Sequence, residues 1–431
     1  MRSKVSLSLS NPPTFKDSLL QWAQQFDEIV WLDSNEHMDS YGSFDALLAV
    51  ASQTHIRMGH QGAFEQLATY QTVTEDWLFG YLAYDLKNDV EHLKSKNPDS
   101  LGFPDIFFFQ PKKIIRIKEG QADFLYLEQL AHEIEIDFKA ISNTRINKGK
   151  TMGQGKDPRI HMGIFKDLYF QKVEAMQDHI HRGDIYEANF CQEFYANATI
   201  DPLKTFKKLN AISLSPFATF FRLRDKYLLC ASPERYLKKI GETLISQPIK
   251  GTAKRSKDPL EDLKLKEALA KDAKELAENI MIVDLVRNDL SKSAQTGSVT
   301  VNELCTVYTF EQVHQMISTI TARVDKQKHP VALLRETFPM GSMTGAPKIR
   351  AMQIIEELES FKRGVYSGAV GYFDPQGDFD FNVVIRSILY NARASYVSFS
   401  VGSAITAKAD PEKEYEECLI KAKAMRQVLE D

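Results

Sequence analysis

Residues 368–405 read GAVGYFDPQGDFDFNVVIRSILYNARASYVSFSVGSAI. Three apolar runs rich in aromatic and β-branched residues, Gly368–Phe373, Phe381–Tyr390 and Tyr396–Ile405, are separated by turn residues, first among them Asp374-Pro375-Gln376-Gly377. This pattern predicts three consecutive antiparallel strands. Upstream, Tyr227–Ala231 and Leu244–Ile249 carry the same signature. Helical periodicity marks Phe165–His181, closed by Arg182-Gly183-Asp184, and then Leu260–Leu290, Pro347–Phe361 and Pro411–Leu429. Nearer the N-terminus, the apolar runs Ile29–Leu32 and Ile106–Phe109 mix with helix-like pieces such as Ser43–Ala51. The fold class these elements define is α+β. Ile141–Asp157 has no apolar period and is rich in Asn, Lys, Gly and Ser, so residues 141–157 are expected to form a loop or linker. It follows an N-terminal α+β region, residues 1–140, interleaved with the core, and precedes a larger region, residues 158–431.

At roughly 100–200 residues per domain, 431 residues allow two to four domains or one large interleaved unit. Lys and Arg number 54 and Asp and Glu 58, a formal charge of −4 that carries no nucleic-acid footprint. With 43% apolar and 26% charged residues, the composition is that of a soluble globular protein and excludes disordered or disulfide-scaffold classes. Cys191, Cys230, Cys305 and Cys418 form no CxxC pair and have no neighbouring His, so reduced, buried thiols are expected. No run of 18 apolar residues suggests a membrane span, and Met1–Phe15 is followed by no apolar signal core. A cytoplasmic enzyme is the resulting expectation.

Several residues offer chemistry. Glu275 and Glu278 lie three apart in one predicted helix and Glu414 and Glu417 three apart in another, giving two carboxylates on each helix face. Opposed, the two faces suit Mg²⁺; apart, they are solvated faces supported by Lys271, Lys274, Lys413 and Lys421. Thr344-Gly345-Ala346-Pro347-Lys348 places small residues ahead of a helix, which fits either an anion cradle or a plain capped loop. There is no Walker A spacing and no GxGxxG after a strand, which disfavours nucleotide chemistry. Lys250 ends a strand-like run before Gly251, where it is either a cleft nucleophile or an exposed strand end. His314 sits in the apolar stretch Val313–Ile320, as a core residue or a catalyst, and Arg386 among strand apolars is an anion receptor or half of an internal salt bridge.

As an ordered set, these segments resemble the chorismate-utilising enzymes, the family of anthranilate, aminodeoxychorismate, isochorismate and salicylate synthases. The matching motifs are Gly183-Asp184-Ile185-Tyr186, Ala231-Ser232-Pro233-Glu234-Arg235, Pro248-Ile249-Lys250-Gly251-Thr252, Glu278 with Val283–Leu290, Thr344–Lys348, Arg363–Gly371 and Ile385-Arg386-Ser387. The likeness is strong over residues 160–431 and weaker before, through Phe79-Gly80-Tyr81 and Tyr84-Asp85-Leu86. It implies a sandwich of two large antiparallel β-sheets flanked by helices, with chorismate and Mg²⁺ in a cleft. Residues 158–431 would then be the chorismate-binding catalytic domain.

By motif position, the resemblance implies that Glu275, Glu278, Glu414 and Glu417 form the magnesium cluster, with Glu278 and Glu417 as direct ligands. It places Thr252, Thr344, Tyr366, Arg386, the amides of Gly402 and Ser403, and Lys421 around the substrate and its carboxylates, and His314 beside the leaving group. Lys250 stands where anthranilate synthases resemble Pro-Ile-Ala-Gly-Thr, and it matches the nucleophile of the aminodeoxychorismate branch, with Glu234 as the general acid. Two departures stand out. Glu187 occupies a position that is Gln in that branch and a water-activating Lys in the isochorismate and salicylate synthases, and Ala404 ends a less glycine-rich turn than the family's. Leu32-Asp33-Ser34 only partly resembles the family's feedback segment, which leaves tryptophan binding open. No GxCxG nucleophile segment is present, so the resemblance implies a separate glutamine amidotransferase partner that supplies ammonia. The implied product serves p-aminobenzoate and folate synthesis; anthranilate synthesis is the alternative, and a non-catalytic binding subunit a rival of another class.

Overall fold

The computed structural model describes residues 1–37, 39–144, 158–311 and 313–431. Two sheets grow from one long strand, Ile106–Lys118. Its first residues pair with Leu78–Leu82 and its last with Gln121–Leu127, while Ala46–Met58 runs along the other edge, with a register shift between Ser52 and Thr54. The first sheet continues from Ala46–Met58 through Glu28–Asp33, Phe217–Leu223, Lys226–Ser232, Ser387–Asn391 and Tyr396–Thr406 to Glu187–Asn197. The second passes from Leu78–Leu82 through Ala369–Phe373, Phe379–Val383, Arg235–Ile240 and Thr243–Gln247 to Val313–Arg323. Ile249–Lys254 and Thr300–Thr309 both pair with this last strand. These pairings are antiparallel, and the shared strand joins the sheets into one network of 20 strands among the described residues.

Side-chain alternation explains the layering. Val30, Leu32, Leu47 and Ala49 enter a core between the sheets, together with Phe108, Phe373 and Phe381. Their neighbours Ile29, Trp31, Ala46, Leu48 and Val50 face the other way. There they pack in a second core that includes residues of the helices Pro12–Trp22, Lys166–His181, Pro202–Ser213 and Pro411–Glu430. A strand buried on both faces loses its polar alternation. This is why Ser43–Ala51, expected to be helix-like, instead enters the strand Ala46–Met58. The expected α+β sandwich stands. No described helix is long and apolar enough to cross a membrane.

Two further expectations are corrected. Phe381–Tyr390 is two strands, Phe379–Val383 and Ser387–Asn391, in different sheets; the chain turns between them, and Arg386 takes a left-handed φ of 52°. Leu260–Leu290 is two helices, Pro259–Lys271 and Ala273–Ser291. Asp272 breaks the run with an extended ψ of 114° and turns its carboxylate to cap the second helix. Of the expected linker, positions 141–143 complete the helix Ile134–Asn143, and positions 145–157 lie outside the described residues.

Candidate active site

The centre of the site is a β-bulge. In Ile249–Lys254 the register shifts between Ile249 and Thr252, so Lys250 and Gly251 leave the ladder toward the helix Ala273–Ser291. Gly251 takes a φ of 89°, and a Cβ there would stand 3.1 Å from Glu275 Oε2, so glycine is required both for the turn and for the close approach. Asn279 Nδ2 donates to the carbonyls of Lys250 and Met316 at 3.4 and 3.3 Å, tying helix to sheet. Lys250 Nζ lies 3.8 Å from Glu187 Oε1 and 3.5 Å from Glu278 Oε2. Burial alone depresses a lysine, but Glu187, Glu278, Glu417 and Glu275 outweigh it and hold Lys250 above its ordinary range. Glu187 is itself buried, and desolvation raises its pKa more than Lys250 lowers it. Its Oε2 has no hydrogen-bond partner among the described residues.

Glu234 precedes the strand Arg235–Ile240 and is buried. Desolvation pushes its carboxyl up to about 7, and Ser342 and the charge of Lys250 draw it back only in part. A carboxyl with that pKa is protonated in mildly acidic solution and can donate a proton.

The four expected glutamates lie on two helices that Lys274 bridges. Asp272 accepts hydrogen bonds from the amides of Lys274 and Glu275 at 2.9 and 3.0 Å, and Asp410 caps the helix Pro411–Glu430 in the same way. Glu275 and Glu414 thus lie in first turns, where the helix dipole favours negative charge. Lys274 Nζ joins the helices, 3.1 Å from Glu414 Oε1 and 3.7 Å from Glu278 Oε1. Desolvation, then neighbouring glutamates, raises Glu275 and Glu414; Glu417 also feels desolvation, but Lys421, 2.5 Å away, pulls it below its ordinary value. Among the described residues no group of three His, Cys, Asp or Glu side chains is placed to hold a metal ion. In kind, the donors suit a hard divalent cation. They are all carboxylate oxygens, Glu278 Oε1 has no hydrogen-bond partner among the described residues, and Mg²⁺ usually takes only one or two protein carboxylates with water and substrate completing its sphere.

The remaining expected residues divide. Lys421 Nζ donates to Gly402 O at 2.9 Å. At Gly402 a Cβ would meet Asn189 Oδ1 and Cys191 Sγ, each at 2.5 Å, so any side chain there forces its neighbours to shift. Tyr366 is buried with its hydroxyl 3.7 Å from Cys191 Sγ. The Arg386 side chain makes no ion pair or hydrogen bond among the described residues; burial lowers its pKa, partly offset by Tyr366 and Glu417. A half-buried, unpaired guanidinium on a strained residue has the chemistry to receive an anion. Thr344 Oγ1 and the Ser403 hydroxyl are engaged elsewhere, the first with the carbonyls of Met340 and Gly341 and the second with Tyr169. Thr252 is exposed on the bulged strand. His314 is buried, with Nε2 3.0 Å from Asp262 Oδ1 and Nδ1 3.1 Å from Thr309 Oγ1, so both ring nitrogens have partners. Lys348, from the small-residue loop, is a buried anchor bonded to Asp289 and to the carbonyls of Thr337 and Pro339. Leu32, Asp33 and Ser34 line a separate cavity of ≈ 340 Å³ that also borders Arg235 and Ile249.

Fold and site together define an α+β protein in which carboxylates surround a half-buried lysine and a guanidinium stands without a partner among the described residues, chemistry that suits a small anionic substrate. The chain belongs to the chorismate binding enzymes, whose family pattern matches residues 18–427. It is 34% identical to anthranilate synthase component 1 of Thermus thermophilus over 363 residues, covering 81% of this chain and 77% of that one. It is 41% identical to aminodeoxychorismate synthase component 1 of Escherichia coli over 265 residues, covering 62% of this chain and 58% of that one. The solved anthranilate synthase component I of Streptococcus pneumoniae superposes with a TM-score of 0.75 at 25% identity, over 91% of this chain and 94% of that chain.

Proposed function

We propose that the chain is the synthase component of an aminodeoxychorismate synthase, converting chorismate and ammonia to 4-amino-4-deoxychorismate on the route to p-aminobenzoate and folate. The observation that carries this reading is Lys250, a primary amine enclosed between Glu187 and Glu278 where a nucleophile is needed. As the free amine, its Nζ attacks C2 of chorismate. The ring double bonds shift and the C4–O bond breaks, with Glu234 donating the proton that lets the hydroxyl leave as water. Ammonia then forms a bond to C4, the double bonds shift back, and the C2–Nζ bond breaks to release Lys250. Arg386, Tyr366, the Gly402–Ser403 backbone and Lys421 orient the two carboxylates. Glu278 and Glu417, supported by Glu275 and Glu414, would hold Mg²⁺, which when bound neutralises substrate carboxylate charge. Ammonia comes from a glutamine amidotransferase partner, a reading supported by the designation component 1 of the Escherichia coli relative.

Anthranilate synthesis is the second reading, favoured by the long match to the Thermus thermophilus enzyme. Mass spectrometry of products from the purified chain, chorismate, Mg²⁺ and ammonium separates the two. An aminated product retaining the enolpyruvyl group is expected. Anthranilate with pyruvate would overturn the aminodeoxychorismate reading, and unchanged chorismate with added amidotransferase and glutamine would overturn both.

A further inference from the structure

Behind the cleft lies an ion pair to which the proposed reaction gives no part. Arg363 and Glu359 are both buried, four residues apart beyond the helix Lys348–Leu358, and they meet through two hydrogen bonds: Nη2 to Oε1 at 2.5 Å and Nε to Oε2 at 2.8 Å. The guanidinium also donates from Nη2 to Asn189 O and from Nη1 to Met343 O, each at 2.7 Å, and lies 4.5 Å from the centre of the Tyr84 ring. Glu359 Oε1 accepts the Cys191 N–H at 2.9 Å.

These bonds follow one edge of the strand Glu187–Asn197. There Gly345–Ala346 pairs with Ala188 and Glu187, and Asn189 N donates to Thr344 O at 2.8 Å. Beyond that point this neighbour ends, and the next backbone groups along the edge, Asn189 C=O and Cys191 N–H, are satisfied by Arg363 and Glu359. The pair thus takes the place of a neighbouring strand. Its anchor points adjoin the substrate cradle: Met343 precedes Thr344, Cys191 faces Gly402 across the sheet, and the Tyr366 hydroxyl meets Cys191 Sγ.

We infer that Arg363 and Glu359 are positioning residues, an ion pair that acts as a strand edge and sets Cys191 and Gly402 against Tyr366 and the Thr344 loop. The inference rests on the reading that Gly402 and Tyr366 hold substrate carboxylates. Three variants test it: Arg363→Met, the double variant Glu359→Leu/Arg363→Met, and Arg363→Lys. The single Met variant strands a buried carboxylate and is expected to lose thermal stability; removing both charges relieves that penalty. The double variant should therefore recover much of its Tm while KM for chorismate stays about tenfold or more above wild type and kcat changes less than about threefold. Arg363→Lys, which retains the charge but cannot reach all four acceptor oxygens in a planar fork, should show the same KM increase at a Tm near wild type. Amide hydrogen exchange at Cys191 should accelerate in the double variant. A KM that returns to wild type together with Tm, or a wild-type KM in Arg363→Lys, would overturn the inference. Wild-type protein that fails to bind chorismate would instead overturn the functional reading beneath it.

Discussion

Glu187 Oε1 stands 3.8 Å from the amine of Lys250, the two held at the ends of strands from different parts of the chain. Glu187 is among the carboxylates that keep Lys250 protonated above the ordinary lysine range. Removing it lowers the lysine pKa and enlarges the free-amine fraction at a given pH. Where Lys250 is still mostly protonated, kcat/KM of Glu187→Gln should therefore exceed wild type by about tenfold at the same pH, the equivalent of one pH unit. Steady-state profiles of the two proteins check this, and equal kcat/KM across that range would show that Glu187 does not govern the lysine.

Glu234 governs the other titration. Its carboxyl, raised from 4.5 to about 7 by burial, must be protonated while Lys250, which titrates higher, must be free, so kcat/KM should rise with pH and level off through about 7. Glu234→Gln should lose this plateau and lower kcat about 10²–10⁴-fold. The same titration sets stability. The contribution of the protonated carboxyl is complete below 4.5 and is lost as pH rises through about 7. The Gln variant should consequently gain Tm relative to wild type when melting curves at pH 5 and pH 8 are compared.

The spacing of the carboxylates and of Lys250 before Gly251 is legible locally, but it leaves a solvated-face or strand-end reading open until the family resemblance chooses between them. The i, i+3 spacing of Glu275 with Glu278 and of Glu414 with Glu417 places each pair on one helix face, and the lysine before Gly251 marks a strand leaving its ladder. What sequence missed is non-local. Glu187 is 63 residues from Lys250, and no periodicity relates them. Asn279 follows Glu278 in the helix, but its tie to Lys250 and Met316 depends on sheet pairing. The helix break at Asp272 is hidden because apolar residues continue on both sides, and only the residue's own capping tendency hints at it. His314 adds another such relation: its motif position does not show that its ring bonds Asp262 and Thr309.

Gly402 offers a test of cradle geometry. In Gly402→Ala the new methyl would compress Asn189 Oδ1 and Cys191 Sγ, both at 2.5 Å. Overpacking of this kind costs about 1–3 kcal/mol, and relief requires the Asn189 and Cys191 side chains, or the strand Glu187–Asn197 that carries them, to shift. Denaturant titration should show that loss, and KM for chorismate should rise more than kcat falls. Wild-type affinity in a folded Gly402→Ala protein would remove Gly402 from the carboxylate cradle.

Lys348 anchors the small-residue loop instead of binding an anion. Its ammonium is buried against Asp289, with carbonyls of Thr337 at 3.2 Å and Pro339 at 2.8 Å completing its donors. Burial depresses its pKa, and Asp289 offsets that only in part. The Lys348→Met side chain fills similar volume but strands the Asp289 carboxylate, leaving it only the more exposed Lys292 at 3.0 Å. A broken buried pair typically costs about 3–5 kcal/mol, and the Lys292 contact should hold the loss to the lower end, about 3 kcal/mol. Replacing both partners, as Lys348→Met with Asp289→Leu, should return part of that stability because no unpaired charge remains. If the single variant melted with wild type, the loop Gly341–Thr344 would have to be held by contacts other than this ammonium, and its place beside Glu234 would not depend on Lys348.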